Sequence, residues 1–148
     1  MAVLWEQGAA EPAPGLILGG LRDLPEMLDA EPDALFPLDR LPGTVWDSGF
    51  RGEVVYYPIT DMGVLPDDVL DELVDAILAR LRAAKRVAVF CAGGHGRTGY
   101  VAACVLFRLG QENPIAFLRR NYSMSAVETD AQAEAAFRYI HRKGECAK

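Results

Sequence analysis

The stretch Val87-Ala-Val-Phe-Cys-Ala-Gly-Gly-His-Gly-Arg-Thr-Gly99 constrains this chain more than any other. Val87 to Cys91 is a continuous apolar run and reads as a buried strand. Three glycines among the five residues Ala92 to Gly96 exclude regular structure there. Helical apolar spacing resumes from Thr98 to Leu109 and stops at Gly110. A strand-to-helix turn aims successive backbone N–H groups and a helix N-terminus at one place. That geometry attracts an anion.

Three anion-loop patterns compete for this segment. A Walker A loop needs lysine after its second glycine, and Gly99 is followed by Tyr100. Gly94, Gly96 and Gly99 do match the dinucleotide fingerprint. That fold also needs a second strand ending in an acidic residue about 20 positions on. Here Ile115 to Asn121 is helical and basic. The third pattern is Cys-x5-Arg-Thr-Gly, from Cys91 to Arg97, Thr98 and Gly99. It sets a thiol at the start of the cradle and a guanidinium at its end.

The rest of the chain places this loop in an α/β fold. With 148 residues, 51% hydrophobic and 24% charged, it is sized and composed as a single globular domain, residues 1–148, rather than a disordered chain. Glu53 to Ile59 is β-branched and aromatic and reads as a strand. Val69, Leu70, Leu73, Val74, Ile77, Leu78 and Leu81 recur at helical spacing behind Pro66, with Asp67 and Asp68 in the first turn. Asn113-Pro114 opens a short helix to about Arg120, and a last helix spans about Thr129 to Arg142. Residues 31–52 read as loops around short extended pieces such as Val45-Trp46. Strand, helix, strand, helix in this order gives right-handed parallel crossovers. The expected architecture has three layers, a central twisted sheet of about four or five mostly parallel strands flanked by helices.

Charge narrows the partners. The net charge of −6 argues against a nucleic-acid binder. Residues 1–80 hold 16 acidic and 4 basic side chains, and residues 81–148 hold 5 acidic and 11 basic. Solvated helix faces account for much of that split, and a small anion in the basic half accounts for the remainder. Three cysteines make no disulfide framework. The longest apolar run, Tyr100 to Phe107, is too short to span a bilayer. The first 15 residues lack the basic and apolar regions of a signal peptide. A cytoplasmic monomer without membrane contact is expected.

Cys91-Ala-Gly-Gly-His-Gly-Arg-Thr98 resembles the signature loop of the cysteine-dependent protein-tyrosine phosphatase superfamily. The compact dual-specificity branch, with its cyclin-dependent-kinase-inhibitor-3-like members, is the most similar. Tyr57-Pro-Ile-Thr-Asp-Met-Gly63 resembles that branch's general-acid loop, and Ala126 to Gln132 resembles the family segment that ends in glutamine. The resemblance covers roughly residues 53–142; residues 1–52 offer only a Leu-Gly-Gly-Leu pattern at 18–21.

The resemblance and the chemistry imply the same roles. A phosphate monoester is a poor electrophile, so its charge must be neutralised and a nucleophile positioned. Cys91 is the expected nucleophile, because a helix N-terminus and a nearby cation favour thiolate. The amides of Ala92, Gly93, Gly94, His95, Gly96 and Arg97 are the expected phosphate cradle. The Arg97 guanidinium grips two oxygens, which lysine cannot copy. Asp61 is the expected general acid and Thr98 the partner of the departing sulfur. Gln132 is a water-positioning residue by resemblance alone. No cofactor or metal is required, and Cys91 with His95 lacks the further ligands of a zinc site. The family usually has histidine before the nucleophile. Phe90 stands there instead, and a less acidic thiol is expected.

Other residues have plainer readings. Cys104 packs in the core, Cys146 is an idle tail residue, and His95 is an exposed loop residue. Asp67 and Asp68 are helix-start residues. Arg119 and Arg120 line the site rim or solvate a helix end. A tyrosine or dual-specificity protein phosphatase is the expected function. A phosphatase of a small phosphorylated metabolite or inositol phosphate, a non-catalytic phosphate-binding module, and sulfur or arsenic chemistry on a similar loop remain as alternatives.

Overall fold

The computed structural model describes residues 3–4 and 8–146, with side chains for 8–144. Residues 1, 2 and 5–7 of the opening segment, and the side chain of Cys146, lie outside this description. The strands are β1 (Val3–Leu4), β2 (Ala10–Ala13), β3 (Leu16–Gly20), β4 (Ala34–Pro37), β5 (Glu53–Val54) and β6 (Val87–Cys91). The α-helices are α1 (Leu24–Asp29), α2 (Thr44–Asp47), α3 (Asp67–Arg82), α4 (Gly96–Arg108), α5 (Pro114–Asn121) and α6 (Asp130–Cys146). A single 3₁₀ turn, Leu21–Asp23, joins β3 to α1.

The sheet runs in the order β1-β2-β3-β6-β4-β5. β3, β6, β4 and β5 are mutually parallel, and the β1–β2 hairpin adds two antiparallel strands at one edge. Gly20 pairs with Cys91 and Pro37 with Phe90, so three parallel strands end together. That common edge, at the carboxyl ends of the strands, is where open α/β sheets place ligands.

Strand alternation splits the core in two. Leu16, Leu18, Phe36, Val87, Val89 and Cys91 face a large cluster built with α3, α4, α5 and α6. Ile17, Leu35, Ala88 and Phe90 face the other side, against Leu24 and Met27 of α1 and Val45 of α2. The three expected layers follow from this period of two. On α3, Leu70, Leu73, Val74, Ile77 and Leu78 are fully buried, each contributing about 1.5–3 kcal/mol relative to exposure.

Several expectations need correction. Only Glu53–Val54 of the expected strand 53–59 forms a ladder. The N–H groups of Val55, Tyr57 and Ile59 still donate to Leu35, Pro37 and Leu38 carbonyls of the neighbouring strand and its exit, at 2.9, 3.2 and 2.9 Å. Pro37 has no N–H to return to the Val55 carbonyl, so the pairing is one-sided and regular strand stops. Val45-Trp46 is helical rather than extended, because it lies within α2. The short extended piece within residues 31–52 is instead Ala34–Pro37, a fully buried strand. Four residues are too short to show a period. α4 starts two residues before Thr98, which places Arg97 in its first turn.

Candidate active site

β6 delivers Cys91 to the carboxyl edge of the sheet with its side chain 2% exposed. The chain then turns through Ala92 to His95 and enters α4. The first N–H groups of a helix have no intrahelical acceptor, so Gly96, Arg97 and Thr98 present donors beside the thiol. The Gly94 N–H donates to Cys91 Sγ at 3.2 Å.

Close backbone approach shapes this turn. Gly94 has φ of +81°, and a Cβ there would lie 2.6 Å from Gly20 N and 2.7 Å from Gly19 C. A Cβ on Gly20 would lie 2.8 Å from Gly93 C. The Leu21 N–H also donates to the Ala92 carbonyl at 3.0 Å. The Leu-Gly-Gly-Leu pattern at 18–21 is thus the wall against which the loop curls. Asp23, buried, accepts the Gly20 N–H at 2.9 Å and fixes that wall. The Tyr122 hydroxyl donates to the Gly94 carbonyl from the far side. Burial first, then the Cys91 and Asp23 charges, push the Tyr122 phenol up, so it stays protonated and remains a donor. His95 Nδ1 and Ser123 Oγ share a hydrogen bond of 2.7 Å, which ties the loop to the end of α5. His95 is therefore half-buried and partnered rather than simply exposed.

Arg97 is 6% exposed. Its Nη1 donates to the Ile59 carbonyl at 2.9 Å. Its Nη2 lies 3.5 Å from Asp61 Oδ1 and 3.8 Å from Asp39 Oδ2. The guanidinium thus joins the loop from β6 to the loop carrying Asp61. Asp61 itself is 75% exposed in its side chain and accepts the Met62 N–H at 3.1 Å. Met62 has φ of +64° within a turn closed by the Gly63 N–H on the Thr60 carbonyl at 2.7 Å.

Gln132 is fully buried on α6. Its Nε2 donates to the Gly63 carbonyl at 3.3 Å, and its Oε1 accepts the N–H groups of Glu128 and Thr129 at 2.8 and 3.2 Å. Thr129 Oγ1 donates to the Met62 carbonyl at 3.3 Å. A Cβ on Gly96 would lie 3.0 Å from Gln132 Oε1. Gln132 therefore touches both the acid loop and the start of α4. The Arg119 guanidinium donates to the Ala126 and Val127 carbonyls at 2.9 Å each, and a Cβ on Gly99 would lie 2.7 Å from Val127 N, so Arg119 braces the segment packed on α4.

Thr98 Oγ1 is buried without a hydrogen-bond partner. Phe90 points to the opposite face of the sheet from Cys91 and fills the smaller core beside α1. Cys104 is fully buried in the larger core, and burial pushes its thiol far up, so it is inert packing. Asp67 and Asp71 pair with Arg142, and Asp67 also with Arg138, tying α3 to α6 away from Cys91. Among the described residues no cluster of three or more His, Cys, Asp or Glu would hold a metal. Among them, too, no helix is long and apolar enough to cross a membrane.

The fold gathers Cys91, Arg97, Thr98, Asp61 and Gln132, the residues expected from the sequence, around one edge of the sheet. Asp23, Asp39, Tyr122 and Ser123 stand beside them without having been expected. The signal for Asp23 was a Gly-Gly pair followed three residues later by a carboxylate. The other three carry no local pattern.

Known proteins share this fold. The family model described as Swiss Army Knife protein, DSP-PTPase phosphatase domain, matches residues 45–147. The chain is similar to an uncharacterized protein of Methanocaldococcus jannaschii, 40% identical over 93 residues, which are 63% of this chain and 58% of that protein. A second protein of that organism is 39% identical over 89 residues, so the chain spans about three fifths of the curated relatives it matches. Among solved structures it is similar to Tk-PTP in the active form, with TM-score 0.79 and 26% identity over 93% of this chain and 99% of that one. Kinase associated phosphatase shares the fold, with TM-score 0.65 and 20% identity over 82% of this chain and 75% of that one. The chain belongs to the DSP-PTPase domain family, a compact dual-specificity branch of the cysteine-dependent protein-tyrosine phosphatase superfamily.

Proposed function

We propose that this DSP-PTPase family member is a single-domain phosphomonoester hydrolase of the protein-tyrosine or dual-specificity type, acting through a cysteinyl-phosphate intermediate. The observation that carries this reading is the convergence on Arg97. One guanidinium, at the foot of a thiol-bearing glycine turn, also stands 3.5 Å from the carboxylate of a separate loop.

In the first step Cys91 Sγ attacks phosphorus while the bond to the leaving oxygen breaks. Asp61 transfers its proton to that oxygen, so an alcohol or phenol departs rather than an alkoxide. The amides of residues 92–97 and the Arg97 guanidinium hold the three equatorial oxygens. Arg97 turns its Nη2 from Asp61 to phosphate, which releases the carboxyl for acid work. In the second step water attacks phosphorus and gives its proton to Asp61, and Cys91 leaves as thiolate. The Thr98 hydroxyl, buried with no other partner, donates to that sulfur. Gln132 has a second Nε2–H beyond the one on the Gly63 carbonyl, and it orients the attacking water. Phosphorylated protein side chains are the favoured substrates.

The test is hydrolysis of p-nitrophenyl phosphate in the presence of a chelator. Wild type turns over. Cys91→Ser loses about 10³-fold or more in kcat. Cys91→Ser with undiminished activity would sink the mechanism. A phosphopeptide panel against inositol phosphates then ranks substrate classes.

A further inference from the structure

Arg97 has one contact that the proposed reaction does not use. Asp39 lies two residues beyond β4, where the chain leaves the sheet next to β6. Its Oδ2 stands 3.8 Å from Arg97 Nη2, on a side chain 37% exposed. At that separation the two form an ion pair without a hydrogen bond. The guanidinium is aimed instead by the Ile59 carbonyl at 2.9 Å. Asp39 therefore adds charge to the site without setting its geometry. Its own place is fixed through the backbone, because the Tyr56 hydroxyl donates to the Asp39 carbonyl.

A buried guanidinium needs counter-charge when no anion is bound. Asp61 and Asp39 supply it, both at Nη2. Asp61 is drawn into proton transfer. Asp39 takes no part in that transfer and stands next to the nitrogen that a phosphate oxygen must reach.

We propose that Asp39 is the resting counter-ion of Arg97, which competes with phosphate for the guanidinium and hastens release of inorganic phosphate after turnover. This rests on residues 91–97 being a phosphate cradle. Asp39 weakens the hold on every anion in the site, product included, and it returns Arg97 to its paired state when phosphate leaves. Asp39 is a positioning residue for charge and does not touch the reacting atoms.

The experiment is calorimetric binding of inorganic phosphate to wild type, Asp39→Asn and Asp39→Glu, with product inhibition of p-nitrophenyl phosphate hydrolysis measured alongside. Removing one partly screened carboxylate charge a few ångströms from the anion is expected to tighten phosphate about three- to tenfold. The inhibition constant for phosphate and the KM fall together by the same factor. Asp39→Glu, which keeps the charge, stays within about twofold of wild type, and the gain in Asp39→Asn shrinks as salt is raised. Equal or weaker phosphate binding by Asp39→Asn overturns the inference, because a residue that only props Arg97 would give that result. The two readings fail separately. Hydrolysis with an unchanged phosphate constant ends this inference alone. Tighter phosphate binding by a protein that never hydrolyses the ester ends the hydrolase reading and the product-release role, and leaves Asp39 as the competing counter-ion of Arg97. No phosphate binding by any variant ends both.

Discussion

The two halves of the site are held by different physics. The cradle, from Cys91 to Gly99, is largely buried, with only Ala92 and Gly93 exposed, and is set by backbone against backbone. Gly94, Gly20 and Gly99 each leave less than 3.0 Å for a Cβ. The acid loop, from Thr60 to Leu65, is largely exposed and hangs from a few side-chain bonds. Gln132 Nε2 and Thr129 Oγ1 hold two of its carbonyls, each at 3.3 Å, and the Leu65 N–H reaches the Tyr100 hydroxyl at 3.4 Å. A rigid anion cradle keeps charge stabilisation preorganised. A lightly tethered acid can approach leaving groups of different depth. Substitutions in the cradle should therefore cost folding and activity together, whereas those at the tip of the acid loop should cost rate alone.

The sharpest separation comes from Asp61→Asn. Losing the general acid is expected to lower kcat by about 10²–10⁴-fold. The side chain is 75% exposed, so the melting temperature should stay within about 1 °C of wild type. A loss of several degrees would show that the acid loop is as structural as the cradle and would break the comparison.

Gly94→Ala probes the other half. It forces a side chain into φ of +81° and into Gly20 N at 2.6 Å. Strain of about 1–3 kcal/mol at such a φ, with overpacking of about 1–3 kcal/mol more, should show in chemical denaturation as well as in lost turnover. Full stability with lost turnover would mean that the loop has room to relax.

Gln132→Ala tests the joint between the halves. It leaves the Glu128 and Thr129 N–H groups and the Gly63 carbonyl without their side-chain partner. A loss of about 1–3 kcal/mol in stability is expected. A fall in kcat should accompany it, larger with a nitrophenyl than with an alkyl leaving group, because fast departure of nitrophenolate leaves water attack rate-limiting. A larger loss with the alkyl leaving group would place Gln132 with the acid loop in the first step.

These contrasts match what the sequence made legible. The cradle is contiguous, so its thiol, glycines and arginine could be read as one motif, and α3 showed its period over sixteen residues. What surrounds the cradle comes from far along the chain. Gly19-Gly20, Tyr122 and Asp39 reach it only through sheet pairing and packing, which no local spacing encodes. Phe90 is the clearest case. Its departure from the family's histidine was visible, but its role as packing for the smaller core required knowing which face of β6 it takes. The strand expected over 53–59 stops after Val54 because Pro37, on the partner strand, cannot return a hydrogen bond, and an apolar pattern within 53–59 does not carry that information.

The smallest effect lies in the helical layer behind the site. Burial, ahead of the opposing Arg108 hydrogen bond, pushes Tyr139 up to about 12. Its proton is held more tightly folded than unfolded. The resulting stability is full below the usual phenol value near 10 and is lost as pH rises from about 10 to 12. Thermal melts over that window should fall less in Tyr139→Phe than in wild type. Equal alkaline losses would remove Tyr139 from the account.

The central claim is that Cys91 carries the phosphoryl group between two half-reactions. Rapid acid quench of turnover with a radiolabelled aryl phosphate, followed by peptide mapping, tests it most directly. The account predicts label on the peptide containing Cys91, absent in Cys91→Ser and accumulated when water attack on the phosphocysteine is slowed in Gln132→Ala. Turnover at the wild-type rate with no label on Cys91 would contradict it.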